Sequence, residues 1–179
     1  GDRLDNADVA GDVENFFFGR YQAMYHDQGV STPVIRSVLT VRPRRPLDFD
    51  RRVRAVREFV QRPESEALAA ANKRVGNILT KQADEVADWV DEDVLEEAEE
   101  KALFQALQDA RKAVDPLLRD GAYDKALTRL AQLREPVDGF FDAVLVMAED
   151  AKVRANRLAL LRDLRELFLA VADIGELQA

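Results

Sequence analysis

The chain has 179 residues, a formal net charge of −8, 47% apolar and 34% charged residues, one histidine and no cysteine. A chain of this size buries roughly two-thirds of its unfolded surface around one core, and its composition is neither that of a disordered chain nor that of a membrane protein. Without cysteine it forms no disulfide, thiolate zinc site or cysteine nucleophile; His26 alone builds no multi-histidine metal centre, and no apolar run reaches the ~18 residues of a membrane span.

Residues 1–12 are polar and acidic and lack the apolar core of a signal peptide. They read as a flexible segment or the tail of a preceding domain. The first residue is not Met, so the chain reads as a piece of a longer protein. From residue 13 onward the apolar spacing is helical. Phe17, Phe18, Tyr21, Met24 and Tyr25 mark a first helix, ended by Gly29 as a left-handed cap. Thr32 and Pro33 read as the N-cap and first turn of a short helix carrying Val34, Ile35, Val38 and Leu39. Arg42-Pro43-Arg44-Arg45-Pro46 is a loop, because proline lacks the N–H and restricts the residue before it.

Asp48 or Asp50 can cap a third helix with the stripe Val53, Val56, Phe59 and Val60. Pro63 opens a fourth, with Leu68, Ala71, Val75, Ile78 and Leu79 on one face. Residues 80–95 are acidic and irregular in period. A long helix then carries Ala98, Ala102, Leu103, Ala106, Leu107, Ala110 and Val114, and Pro116 either kinks it or starts a last turn ending at Gly121. Tyr123, Ala126, Leu127, Leu130 and Leu133 form the next stripe. Pro136 restarts a helix bearing Val137, Phe140, Phe141, Val144 and Leu145. Glu149-Asp150 breaks the chain before a final helix with Leu160, Leu161, Leu164, Leu167, Phe168 and Val171. No useful stretch alternates with period two, so the expected fold is all-α, a helical bundle of about seven or eight helices over residues 13–179.

Charge is concentrated in two opposed blocks. Residues 36–62 hold nine Arg against Asp48, Asp50 and Glu58, whereas residues 84–100 hold ten acids and no base. The acidic run reads as a solvated face or a flexible arm, and Trp89 within it as packing that pins the run to the core or, alternatively, as a contact for a partner. The basic run offers phosphate contacts from Arg42, Arg44, Arg45, Arg51, Arg54 and Arg57, because the planar guanidinium fork suits phosphate oxygens. Arg51, Arg54 and Arg57 lie near one helical face, and Arg52 is turned about 100° away. The alternative is a solvated helix whose Arg pair with the acidic block. Two smaller clusters follow: Lys73, Arg74 and Lys81 on the fourth helix, and Lys152, Arg154 and Arg157 on the last, where Asn156 adds a neutral hydrogen-bonding group. Phe140 and Phe141 sit at core spacing, though an aromatic ring can also stack on a base. No nucleophile, base and orienter assemble around His26, which reads as a surface residue, and no glycine-rich phosphate loop is present.

Two stretches carry a resemblance. Residues 68–79, LAAANKRVGNIL, and residues 134–178, REPVDGFFDAVLVMAEDAKVRANRLALLRDLRELFLAVADIGELQ, resemble the C-terminal anticodon-binding domain of bacterial glycyl-tRNA synthetase beta subunits. That domain is similar to the helical DALR domain of arginyl-tRNA synthetase. FFFGRYQAMYHDQG and RPLDFDRRVRAVREF match its lead-in, so the likeness spans residues 14–178.

The resemblance implies a DALR-like all-α fold and a module that binds the anticodon stem-loop of glycine tRNA without a catalytic centre. It implies that chemistry, with its ATP and magnesium, belongs to the complete synthetase, and that the partners are glycine tRNA, a separate alpha subunit and the rest of the beta subunit, in the cytoplasm and away from membranes. Asn72, Lys73, Arg74 and Asn77 match the first motif, and Arg154, Asn156 and Arg157 the second. The match does not separate RNA contacts from structural ones: Arg157 can pair with Asp138 or Asp142 in the interior or reach RNA. The other reading is a helical protein-interaction module whose acidic segment docks a basic partner.

Overall fold

The computed structural model describes residues 19–20 and 22–178. The expected first helix falls partly outside them: Phe17, Phe18 and Tyr21 are not among the described residues, nor are residues 1–12, while residues 22–27 are helical. Seven further α-helices follow: α1 Thr32–Leu39, α2 Pro46–Phe59, α3 Ser65–Lys81, α4 Ala98–Arg119, α5 Tyr123–Leu130, α6 Arg134–Ala143 and α7 Ala151–Leu169. Short 3₁₀ turns lie at Ala83–Glu85, Glu92–Val94, Ala131–Leu133 and Ile174–Leu177. No strand occurs among the described residues, and none of their helices is long and apolar enough to cross a membrane.

Most helix ends differ from the expected ones by a residue or two. The α1 N-cap is Ser31, with Thr32 as the first helical residue. α2 begins at Pro46, before either expected Asp cap, because proline's fixed φ suits a first helical turn. Asp48 therefore sits inside the first turn of α2 and is free to bond elsewhere. α4 runs through Pro116 to Arg119 and stops before Gly121, whose φ of +68° is left-handed. α6 ends at Ala143, so Val144 and Leu145 leave the helix. Val144 stays buried, whereas Leu145 is exposed.

α7 is the central helix. Val153, Leu158, Ala159, Leu160, Leu161, Leu164, Leu167 and Phe168 are all buried, covering most of its circumference, as expected of a helix surrounded by others. Asp150 caps it by accepting from the backbone N–H groups of Lys152 and Val153. α2 packs on α5, α4 on α5 and α6, and α3 on both α7 and the C-terminal turn. That turn also rests on α1, where the Asp173 N–H donates to the Ser37 carbonyl at 2.8 Å. Gly175 permits the close approach to α3: a Cβ there would lie 3.2 Å from the backbone of Lys73. The contact carries Gln178 alongside α3.

Candidate nucleic-acid interface

Most of the expected basic site residues fall in three settings. The first is a depression of about 390 Å³ where the N-terminus of α2 meets the end of α4. Arg44, Arg45 and Arg51 line it, joined by Arg119 from α4. None of these four forms an ion pair among the described residues. Arg51 extends over Gly121, close enough that a Cβ there would meet its Nη1 at 2.9 Å. Arg42, in the preceding loop, is exposed and has a left-handed φ of +49°.

Beneath this depression lies a hydrogen-bonded network centred on Arg52. Its Nε donates to Asp48 at 2.9 Å, Nη2 to the Tyr123 hydroxyl at 3.0 Å, and Nη1 to the Ala170 and Val171 carbonyls at 3.0 and 2.8 Å. The Tyr123 hydroxyl donates to Asp48. Burial first, and the bond to the Asp48 carboxylate second, push the Tyr123 phenol above its ordinary value of 10.0. Arg52 is thus a tie between α2, α5 and the end of α7, in keeping with its turn away from the other Arg. Arg54 and Arg57 are exposed on α2, and Arg54 pairs with Asp50 at 2.8 Å.

The second setting is a depression of about 320 Å³ along α3. Lys73, Arg74, Asn77 and Lys81 line it, with Ala70, Ile78 and Gln178, and no carboxylate is among its lining residues. Residues 74, 77, 78 and 81 follow helical spacing and share a face. Arg74 stacks on Phe141, its guanidinium carbon 4.4 Å from the ring centroid. Phe141 in turn meets the fully buried Phe140 edge-on at 5.5 Å. Asn72, on the neighbouring face, is buried and donates to the Leu68 carbonyl of its own helix.

The third setting is structural in its contacts. Arg157 is buried, and its Nη2 lies 2.7 Å from Glu100 Oε1 while Nη1 donates to the Leu145 carbonyl at 2.7 Å. Its acidic partners are Glu100 and, more distantly, Glu96, not Asp138 or Asp142. Asn156 clamps the backbone of Asp91, accepting from its N–H at 2.7 Å and donating to its carbonyl at 3.0 Å. Arg154 pairs with Glu85 at 2.8 Å and donates to the Ala148 carbonyl. Arg162 donates to the Ala87 and Asp88 carbonyls at 2.6 and 3.1 Å. Lys152 remains exposed at the edge of this region.

These bonds fasten the acidic run across α7 as an ordered strap, so it is not a flexible arm. Trp89 does not pin it: the side chain is 72% exposed, because the strap is held by its main chain. Sequence reasoning missed Arg119 and Gln178 as members of the two depressions, and Arg162 as a strap anchor. The first two are brought in by tertiary packing alone and carry no local signal. Arg162 follows Arg154 at helical spacing and was open to notice.

The DALR anticodon binding domain family matches residues 68–174. The chain is 52% identical over 178 residues to the glycine–tRNA ligase beta subunit of Aliivibrio fischeri (strain MJ11), covering 99% of this chain and 26% of that protein. It is 51% identical over 178 residues, with the same coverage, to the corresponding protein of Vibrio parahaemolyticus, and 52% identical to that of Aeromonas salmonicida. The chain therefore spans about a quarter of the length of these relatives. The matched family segment includes Lys73, Arg74, Asn77, Lys81 and every strap anchor on α7, whereas the Arg-rich block of residues 36–62 precedes it.

Proposed function

The chain belongs to the DALR anticodon-binding domain family, and from that premise we propose that it is the tRNA-binding module of a glycine–tRNA ligase beta subunit, gripping the anticodon stem-loop of glycine tRNA. The observation that carries this reading is the α3 depression. It combines the cations of Lys73, Arg74 and Lys81 with the amides of Asn77 and Gln178, and its lining has no carboxylate to repel RNA. Phosphates are met by the cations and unstacked bases by the amides. The Arg44, Arg45, Arg51 and Arg119 depression supplies a second phosphate contact that fixes register.

Aminoacylation, with ATP and magnesium, is assigned to the remainder of a longer synthetase, including an alpha subunit, acting in the cytoplasm. This chain contributes recognition. Binding of glycine tRNA and of a non-cognate tRNA, compared by gel shift at two salt concentrations, tests the proposal. Tighter binding of glycine tRNA, weakening steeply with salt, is the expected result. Equal affinity for both RNAs, or a flat salt response, would overturn it.

A second reading, docking of a basic protein partner, is favoured by one observation: Trp89 stands exposed on a strap rich in carboxylates. An exposed aromatic held on a rigid support is the kind of residue that anchors protein interfaces. The two readings use different surfaces and are compatible.

A further inference from the structure

We propose that Arg74, stacked on Phe141, forms a subsite for a single unstacked nucleobase, with the guanidinium plane as the stacking surface. The proposal rests on the tRNA-binding reading and assigns to this part of the α3 depression a chemistry beyond charge.

A cation recruited only for a phosphate needs no aromatic support. Arg74 has one: its guanidinium carbon lies over the Phe141 ring, 4.4 Å from the centroid. Phe141 is held in turn by an edge contact to Phe140, and Phe140 is wholly buried. The platform is therefore braced against the core before any ligand arrives, which lowers the ordering cost of binding. The residue as a whole is exposed and lines the depression, so its other face is available to a flat ligand.

The surroundings fit a base. Asn77, one turn further along α3, carries an amide that both donates and accepts. Gln178 donates through Nε2 to the Glu66 carbonyl at 3.4 Å, which leaves its Oε1 as an acceptor. Ala70 and Ile78 provide apolar floor, and Lys81 lies a further turn away at a distance suited to the backbone phosphate of the same nucleotide. The depression around Arg51 differs: Asp48 and Asp120 are among its lining residues beside the four Arg, and it presents no side-chain amide. It suits a phosphate, and the α3 depression suits a nucleotide read by its base.

The test is a cycle between protein and RNA, using the whole chain and a synthetic anticodon stem-loop of glycine tRNA in which each loop base in turn is replaced by an abasic site. Arg74→Lys keeps the charge and removes the plane. The expected result is that one abasic position weakens binding to the wild-type chain about tenfold, and that Arg74→Lys weakens binding of the intact RNA by a similar factor at an unchanged salt slope. The same abasic position then costs Arg74→Lys nothing further. Phe141→Leu, which keeps Arg74 but removes its support, shifts affinity in the same direction.

Additive losses at every loop position, or an Arg74→Lys chain that binds like wild type while Lys81→Ala weakens binding, would overturn the subsite and leave the tRNA-binding depression standing. If Arg74→Lys, Arg74→Ala and Lys81→Ala all bind like wild type, the depression itself is not the RNA site and both readings fall.

Discussion

Arg157 and Glu100 meet inside the bundle with 2.7 Å between Nη2 and Oε1, their side chains 6% and 0% exposed. The pair joins α7 to the first turn of α4. Glu96 stands 3.8 Å from the same guanidinium nitrogen at the edge of the pair. Arg157 Nε and Glu100 Oε2 are buried with no hydrogen-bond partner among the described residues, so the pair is incompletely compensated.

Breaking this pair costs more than removing it. Arg157→Ala leaves Glu100 buried and uncompensated and is expected to destabilise the fold by about 3–5 kcal/mol. The double change Arg157→Met with Glu100→Leu is expected to lose less than the single one, because it removes two desolvated charges together and leaves only the Leu145 carbonyl and the Glu97 N–H without these partners. Urea unfolding followed by circular dichroism measures both. Equal losses for the single and double variants would contradict this account.

Trp89 is the only tryptophan in the chain, so its fluorescence reports the strap directly. Emission is expected at the wavelength of a solvated indole, with ready quenching by acrylamide. Trp89→Ala is expected to change stability by no more than about 0.5 kcal/mol, as at other exposed sites. A blue-shifted, shielded signal would mean that the side chain is packed.

The raised Tyr123 phenol gives a pH dependence at the alkaline end. Because the folded chain holds this proton more tightly than the unfolded one, the associated stability is complete below the ordinary value of 10.0 and is lost as pH rises through the raised folded value. Tyr123→Phe removes that alkaline decline. Thermal melts of both chains across this range check it: parallel curves would assign the decline to other groups.

Arg51→Ala is expected to weaken binding of glycine tRNA and to shrink the slope of log affinity against log salt by about one unit, with the melting temperature unchanged. Arg54→Ala is expected to do less, since that side chain already pairs with Asp50 on α2. A loss of fold in the Arg51 variant would make the residue structural.

The helices were legible because their apolar residues recur at three and four. Val53, Val56 and Phe59 on α2, and Leu103, Leu107, Ala110 and Val114 on α4, are all buried. On α7 the expected stripe of Leu160, Leu161, Leu164, Leu167 and Phe168, with Val171 just past the helix end, is buried as well, but periodicity could not go further there, for a physical reason. A helix buried on most sides gives no polar stripe to tell outward from inward, so Asn156 and Arg157 carried no sign of their direction. Their partners, Asp91 and Glu100, lie 65 and 57 residues away in sequence. The acidic run misled for a related reason. Its side chains look solvated because many of them are, while its order comes from peptide groups that composition does not register. The Arg-rich loop was visible as a block, but only folding adds Arg119 to it and leaves Arg54 in a local pair.

Between Ala87 and Asp91 the strap is fastened through its peptide groups: Arg162 takes the Ala87 and Asp88 carbonyls, Asn156 takes both main-chain groups of Asp91, and the Ala87 N–H reaches the Ala155 carbonyl at 3.2 Å. Such fastening is indifferent to what the strap displays. The exposed side chains at positions 88 and 89 can be exchanged without undoing an attachment, whereas Val90 packs against the core and a change at Asn156 or Arg162 removes a fastening of the span. The fold thus carries a replaceable label on a fixed mount, and drift in the label alters what meets the surface without touching the bundle beneath.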